Sequence, residues 1–209
     1  YIINDLFDLE VDKHHIKKKF RPIASGKVSK QKAILIALIF AAISIMYFFL
    51  FTSQNVLILI LSYLLINLLY SFVFKKIKYL DILIVSSGFL IRIFIGSIMT
   101  SLTISYFYAL QIFLFALFIL ACKRREYFFS FQNKIISNYS LKELNNICKI
   151  LFILNILNYF IYLFDDLKFI NSFSLEISFV IFFILINRYL LINFNNKQFD
   201  PISIYFNDK

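Results

Sequence analysis

Ala33-Ile34-Leu35-Ile36-Ala37-Leu38-Ile39-Phe40-Ala41-Ala42-Ile43-Ser44-Ile45-Met46-Tyr47-Phe48-Phe49-Leu50-Phe51 contains no charged residue. A helix rises about 1.5 Å per residue, so a run of this kind crosses a hydrocarbon core of about 30 Å in about 20 residues. Comparable stretches recur, and the sequence predicts spans at about 31–51, 55–74, 81–101, 105–122, 145–164 and 175–193. None alternates apolar with polar residues as a lipid-facing barrel strand must, so helices are expected throughout. The composition agrees: 61% of residues are hydrophobic, Phe occurs 28 times and Gly only 3 times, and the mean hydropathy is +0.79. The expected fold is all-α, a polytopic transmembrane helix bundle forming a single membrane domain over residues 1–209.

The distribution of the 22 Lys and Arg residues sets the expected orientation, because basic loops stay on the cytoplasmic side. Segment 13–30 is densely basic, 75–80 carries Lys75, Lys76 and Lys78, and a third basic loop opens with Lys123-Arg124-Arg125. The intervening connections at 52–54 and 102–104 are uncharged, and 165–174 sets Lys168 beside Asp165 and Asp166. The tail 194–209 is then cytoplasmic as well. Membrane topology and anionic lipid explain the net charge of +10, so no nucleic-acid partner is expected. Cys122 and Cys148 are too few for a disulfide framework, and the adjacent His14 and His15 lack the spacing of helical metal ligands.

The chemistry concentrates near the start, in Asn4-Asp5-x-x-Asp8-x-x-x-Asp12 followed by Lys17-Lys18-Lys19-Phe20-Arg21-Pro22-Ile23-Ala24-Ser25-Gly26. At about 100° per residue Asp5, Asp8 and Asp12 lie within about 60° of one another on a helix, with Asn4 at the edge of the arc and Glu10 facing away. Carboxylates held that close repel, and an oxygen-only set of this kind suits Mg²⁺ bridging to a substrate's phosphates. Residues 1–12 read as the cytoplasmic end of a span whose beginning lies before Tyr1, so the chain is expected to be a fragment, truncated at both ends.

These residues resemble the first signature of the UbiA-type intramembrane prenyltransferase superfamily, a helical bundle whose first aspartate motif binds a diphosphate through Mg²⁺ in a cavity open to the cytoplasm. Aromatic prenyltransferases of that superfamily carry a second aspartate-rich motif. Here the corresponding segment reads Lys123-Arg124-Arg125-Glu126-Tyr127 instead. Together with Tyr70-Ser71-x-x-x-Lys75, the segment from Asp81 to Arg92, Tyr139-Ser140 and Asp200-Pro201, it resembles the decaprenyl-phosphate phosphoribosyltransferase branch. The resemblance implies transfer of 5-phosphoribose from 5-phosphoribosyl diphosphate to a polyprenyl phosphate at the cell (inner) membrane, supplying an arabinan-type precursor for the cell envelope.

It also implies roles. Asp5, Asp8 and Asp12 are expected as Mg²⁺ ligands, Asn4 as their hydrogen-bonding neighbour, and Lys19 and Arg21 as phosphate holders. Lys75 and Asp81 resemble a second catalytic pair, with Tyr70 as a hydrogen-bond donor, while Lys76 and Lys78 are read as topology charges. Arg92, inside a span and within about 20° of the helix face of Asp81 but about 16 Å along the axis, is expected to line a cavity near the lipid phosphate. Lys123, Arg124 and Arg125 are expected to bind the ribose phosphate or the acceptor headgroup, with a charged membrane edge as the alternative for at least one of them. The alternative function is prenyl transfer from a polyprenyl diphosphate to an aromatic or other lipophilic acceptor. A transporter or scaffold fits less well, because transporters place binding groups near the midplane on interrupted helices.

Overall fold

The computed structural model describes residues 2–14, 18–130, 139–166 and 172–195. The positions of Lys17 and Asp200-Pro201, and the tail beyond residue 195, lie outside the described residues. Eight helices follow one another: α1 (Ile2–Phe7), α2 (Leu9–His14), α3 (Lys30–Phe51), α4 (Gln54–Phe72), α5 (Leu80–Thr100), α6 (Tyr106–Ser130), α7 (Leu141–Asp166) and α8 (Ser172–Asn195). Short 3-10 turns occupy Lys18–Phe20 and Phe74–Lys76, and the described residues contain no strand. Six of the helices, α3 to α8, are long and apolar enough to cross a membrane. The chain divides into two compact units, residues 1–75 with 94–102, and residues 76–93 with 103–209.

In the first unit α3 and α4 form a helical hairpin across Thr52 and Ser53. Ser29 caps α3 by accepting the Lys32 N–H, and Thr52 ends it by donating its hydroxyl to the Phe48 carbonyl at 2.6 Å. Of the side chains of α3 only Ala33 is buried, whereas Leu38, Phe40, Met46, Phe49 and Phe51 are exposed. In water such a surface would be untenable, but beside lipid tails it has no hydration cost to relieve. The acidic segment packs on this hairpin: α1 contacts both α3 and α4, and the Phe7 ring meets Phe72 edge-on with centroids 4.4 Å apart.

In the second unit α7 lies along α6 and also packs on α8. Its core joins Phe118, Ala121 and Cys122 of α6 to Leu144, Cys148 and Leu151 of α7 and Ile186 and Tyr189 of α8. Polar groups within these spans meet across helices, where hydrocarbon offers no water to satisfy them: Gln111 donates to Asn155 at 3.1 Å, and Asn158 donates to Gln111 at 2.8 Å. Arg125 is buried at the same interface, where it donates to Asn145 Oδ1 at 2.7 Å and to the Asn193 carbonyl, with its guanidinium over the Phe194 ring.

Two helix ends extend past the expected spans. Lys123-Arg124-Arg125, expected to open a loop, is helical because α6 continues to Ser130. Good helix formers and the anchoring of Arg125 on α7 and α8 support the extra turns. α7 begins at Leu141 on a reciprocal cap: the Glu143 N–H donates to Ser140 Oγ at 3.2 Å, and the Ser140 N–H donates to Glu143 Oε2 at 2.9 Å.

Candidate active site

The acidic segment is α1 and α2 joined through a turn at Asp8 that keeps helical hydrogen bonding, since the Asp8 N–H reaches the Asn4 carbonyl at 2.9 Å and the Asp12 N–H reaches the Asp8 carbonyl at 2.8 Å. That continuity places Asp5 and Asp12 two turns apart on one face. Arg21 Nη1 donates to Asp5 Oδ1 at 2.7 Å and to Asp12 Oδ2 at 2.8 Å, so the two carboxylates converge on one point. Asp8, between them in sequence, is engaged differently. Lys75 Nζ donates to both of its oxygens, and Asn4 Nδ2 donates to Oδ2 at 3.1 Å. Glu10 faces solvent, and its carboxylate pairs with Lys13 at 2.9 Å.

The loop that delivers Arg21 is a run of turns. Pro22 accepts the Val28 N–H at 3.0 Å, the Ser25 N–H reaches the Arg21 carbonyl at 2.8 Å, and Gly26 closes the bend at φ +78°, a left-handed conformation that other residues resist. Lys19, expected to share phosphate binding with Arg21, is exposed, with its ammonium 5.1 Å from the Phe20 ring. Tyr70 is half-buried near the end of α4.

Three carboxylates, one guanidinium and one ammonium leave this cluster with one net negative charge. Among the described residues no group of three or more His, Cys, Asp or Glu is gathered closely enough to hold a metal ion, since Asp8 is turned to Lys75 while Asp5 and Asp12 share Arg21. The donor chemistry itself, carboxylate oxygen throughout, is that of a hard divalent cation.

The second unit contains its own cluster. Asp81, in the first turn of α5, is buried; its Oδ2 accepts from Arg124 Nε at 2.7 Å and its Oδ1 from the Tyr139 hydroxyl at 2.7 Å. Lys75, which the sequence groups with Asp81, is paired with Asp8 within the first unit. Lys78, read only as a topology charge, donates to both oxygens of Glu143 at 2.8 Å and lies over the Tyr79 and Tyr139 rings. The Glu143 carboxylate holds the Lys78 ammonium above its usual pKa, and burial followed by the Asp81 hydrogen bond pushes the Tyr139 phenol up. Lys123 is half-buried on α6. Arg92 is exposed on α5 with its guanidinium 5.4 Å from the Phe89 ring.

Sequence reasoning did not single out Tyr139 as a partner of Asp81, or Glu143 as the structural anchor of Lys78 and α7. A signal for the second was present: Ser140-x-x-Glu143 before an apolar run is a capping-box pattern, which marks a helix start and an ordered carboxylate. The partnership of Tyr139 with Asp81 spans 58 residues and left no local trace.

Residues 1–127 match the model of the UbiA prenyltransferase family. Over 124 residues, 59% of this chain, the sequence is 39% identical to a decaprenyl-phosphate phosphoribosyltransferase of Mycolicibacterium smegmatis and 30% identical to the one of Mycobacterium tuberculosis. The matched stretch covers 39% and 41% of those proteins. A shorter stretch of 47 residues, 22% of this chain and 16% of the relative, is 51% identical to a digeranylgeranylglyceryl phosphate synthase of Saccharolobus solfataricus.

Proposed function

The chain belongs to the UbiA prenyltransferase family, and from that premise we propose that the full-length protein is an integral membrane transferase that moves 5-phosphoribose from 5-phosphoribosyl diphosphate to a polyprenyl phosphate. The bond between ribose C1 and the diphosphate oxygen breaks, the diphosphate leaves with the electron pair, and a phosphate oxygen of the lipid forms the new bond to C1. The observation that carries this reading is the 124-residue similarity to phosphoribosyltransferases of that specificity. It is supported by a basic segment, Lys123-Arg124-Arg125, where aromatic prenyltransferases resemble one another in an aspartate set.

The residues suit the chemistry. Departure of diphosphate leaves an oxocarbenium-like ribose and concentrates negative charge on the leaving group, so fixed charge complementary to that group is the largest contribution a protein can make. Arg21 supplies a planar, always-charged fork for phosphate oxygens, and Lys75 a point charge. Asp5 and Asp12, which converge on Arg21, and Asp8 beside Lys75 would hold Mg²⁺ once those cations turned to substrate phosphates, and the metal would supply positive charge to the leaving diphosphate. The lipid phosphate attacks as an anion and requires no general base. Arg124, held by Asp81, is assigned to a substrate phosphate, with Lys123 and Arg92 as further cationic contacts and Tyr70 as a donor.

The basic segments support a site on the cytoplasmic side of the cell membrane, and the lipid-linked pentose would feed arabinan-type envelope glycans. Membranes containing the full-length protein, given labelled 5-phosphoribosyl diphosphate with polyprenyl phosphate or labelled polyprenyl diphosphate with an aromatic acceptor, distinguish the two transfers. Label should enter the lipid phase from the first pair only. Transfer from the second pair alone would establish prenyl transfer instead.

A further inference from the structure

The hydroxyl of Tyr139 makes two directed contacts: it accepts the Tyr79 N–H at 2.5 Å and donates to Asp81 Oδ1 at 2.7 Å. Tyr79 has φ +66°, an unusual conformation for a side-chain-bearing residue, and it lies two positions before Asp81 at the entrance to α5. Its N–H is thereby fixed by a group from another part of the chain. Both contacts act on the same short stretch. Tyr139 is itself 5% exposed, packed edge-on against the Tyr79 ring at 5.4 Å, and it directly precedes the Ser140–Glu143 cap that anchors Lys78.

Asp81 would otherwise have freedom that its surroundings punish. It is 4% exposed, and a buried carboxylate requires hydrogen bonds to both oxygens. Arg124 Nε satisfies Oδ2, and the phenol satisfies Oδ1, so the plane of the carboxylate is defined by one charged and one neutral donor. The direction of Arg124 follows from that plane.

We infer that Tyr139 is a positioning residue, which acts through Asp81 to aim the Arg124 guanidinium at an anionic phosphate group of the substrate. This rests on the assignment of Arg124 to a substrate phosphate made above. Tyr139 touches no reacting atom. Its contribution is the fixed orientation of a cation, and misplacement of such a group by a fraction of an ångström to an ångström lowers turnover by about ten- to a hundred-fold.

A double-mutant cycle in the full-length protein tests this, with kcat/KM for labelled 5-phosphoribosyl diphosphate as the readout. Tyr139→Phe and Asp81→Asn should each lower kcat/KM by about ten-fold or more, and the double variant should be no worse than Asp81→Asn alone, because the phenol acts only through that carboxylate. Losses that multiply in the double variant would overturn the inference. Glu143→Gln separates positioning from stability, since it removes the charge that pairs with Lys78 while the amide keeps the cap and the hydroxyl is untouched. It should lower the melting temperature slightly and leave kcat/KM within about two-fold of the parent, as expected of a half-exposed ion pair. An equal loss of kcat/KM in Glu143→Gln would reduce Tyr139 to part of a structural clamp.

Should Tyr139→Phe fail to fold, 3-fluorotyrosine at position 139 keeps both hydrogen bonds and makes the phenol more acidic. With the same donor on the same carboxylate oxygen, kcat/KM should stay within about two-fold of the parent, and a loss of about ten-fold or more would contradict the inference. A protein that transfers only from prenyl diphosphate would refute the function proposed above, while the same cycle, run on that reaction, would still decide whether Tyr139 acts through Asp81.

Discussion

The carboxylate of Asp12, 1% exposed, accepts a hydrogen bond from Arg21 Nη1 at 2.8 Å. A buried carboxylate left without its cation retains its desolvation cost and loses the compensating attraction, so the pair matters most when one partner is removed. Arg21→Ala is expected to destabilise the protein by about 2 kcal/mol, less than for a fully enclosed pair because the guanidinium reaches solvent. Thermal unfolding in detergent measures this. Adding Asp12→Asn should recover part of the stability and none of the activity.

The three carboxylates differ from Glu10 in direction, not in chemistry. Asp5→Asn and Asp8→Asn should each lower phosphoribosyl transfer by about a hundred-fold or more with the protein still folded, the size of effect seen when a group stabilising transition-state charge is removed. Glu10→Gln should stay within about two-fold, since the Glu10 carboxylate is paired with Lys13 at the surface. Initial rates in membranes, with size-exclusion profiles as the folding control, give the comparison.

Two glycines should respond to alanine in opposite ways. Gly26 has φ +78°, where an added Cβ is strained although nothing lies within 4 Å, so Gly26→Ala should cost about 1 kcal/mol and loosen the loop that carries Arg21. Gly96 lies within α5 and also has nothing within 4 Å. Gly96→Ala should be neutral or stabilising by about 0.5–1 kcal/mol, because alanine restricts the unfolded chain and favours the helix. Melting temperatures of the two variants, measured side by side, check the sign of each effect.

Alkaline pH should weaken the second cluster. Tyr139 and Lys78 both have folded pKa values above their ordinary values of 10.0 and 10.5, the phenol through burial and the ammonium through Glu143. The folded state therefore holds these protons more tightly than the unfolded chain, and the stability they confer is complete below about pH 10 and is lost as pH rises through the folded values. The melting temperature should fall above about pH 10. In Tyr139→Phe the alkaline decline should be shallower than in the parent.

Much of this was legible in the chain. Uninterrupted apolar length gave the membrane helices, because hydrocarbon admits few alternatives to a helix for such runs. Helical periodicity placed Asp5 and Asp12 on one face and Glu10 on the other, and the structure keeps both relations. Periodicity could not show that Asp8 turns to Lys75, a partner 67 residues away, or that Asp81 is held by Arg124 and Tyr139. Such pairings depend on how helices pack, which local spacing does not encode. The helical state of Lys123-Arg124-Arg125 was hidden for a related reason, since basic residues at a membrane edge suit a loop and a helix end equally well.

The central claim is that ribose phosphate moves to a lipid phosphate with release of diphosphate. The most direct measurement quantifies diphosphate released and labelled lipid formed, in one reaction containing the full-length protein, Mg²⁺, 5-phosphoribosyl diphosphate and polyprenyl phosphate. The account predicts equal amounts of both products, neither appearing when the lipid phosphate is omitted. Diphosphate released without labelled lipid, or labelled lipid formed only from a prenyl diphosphate, would contradict it.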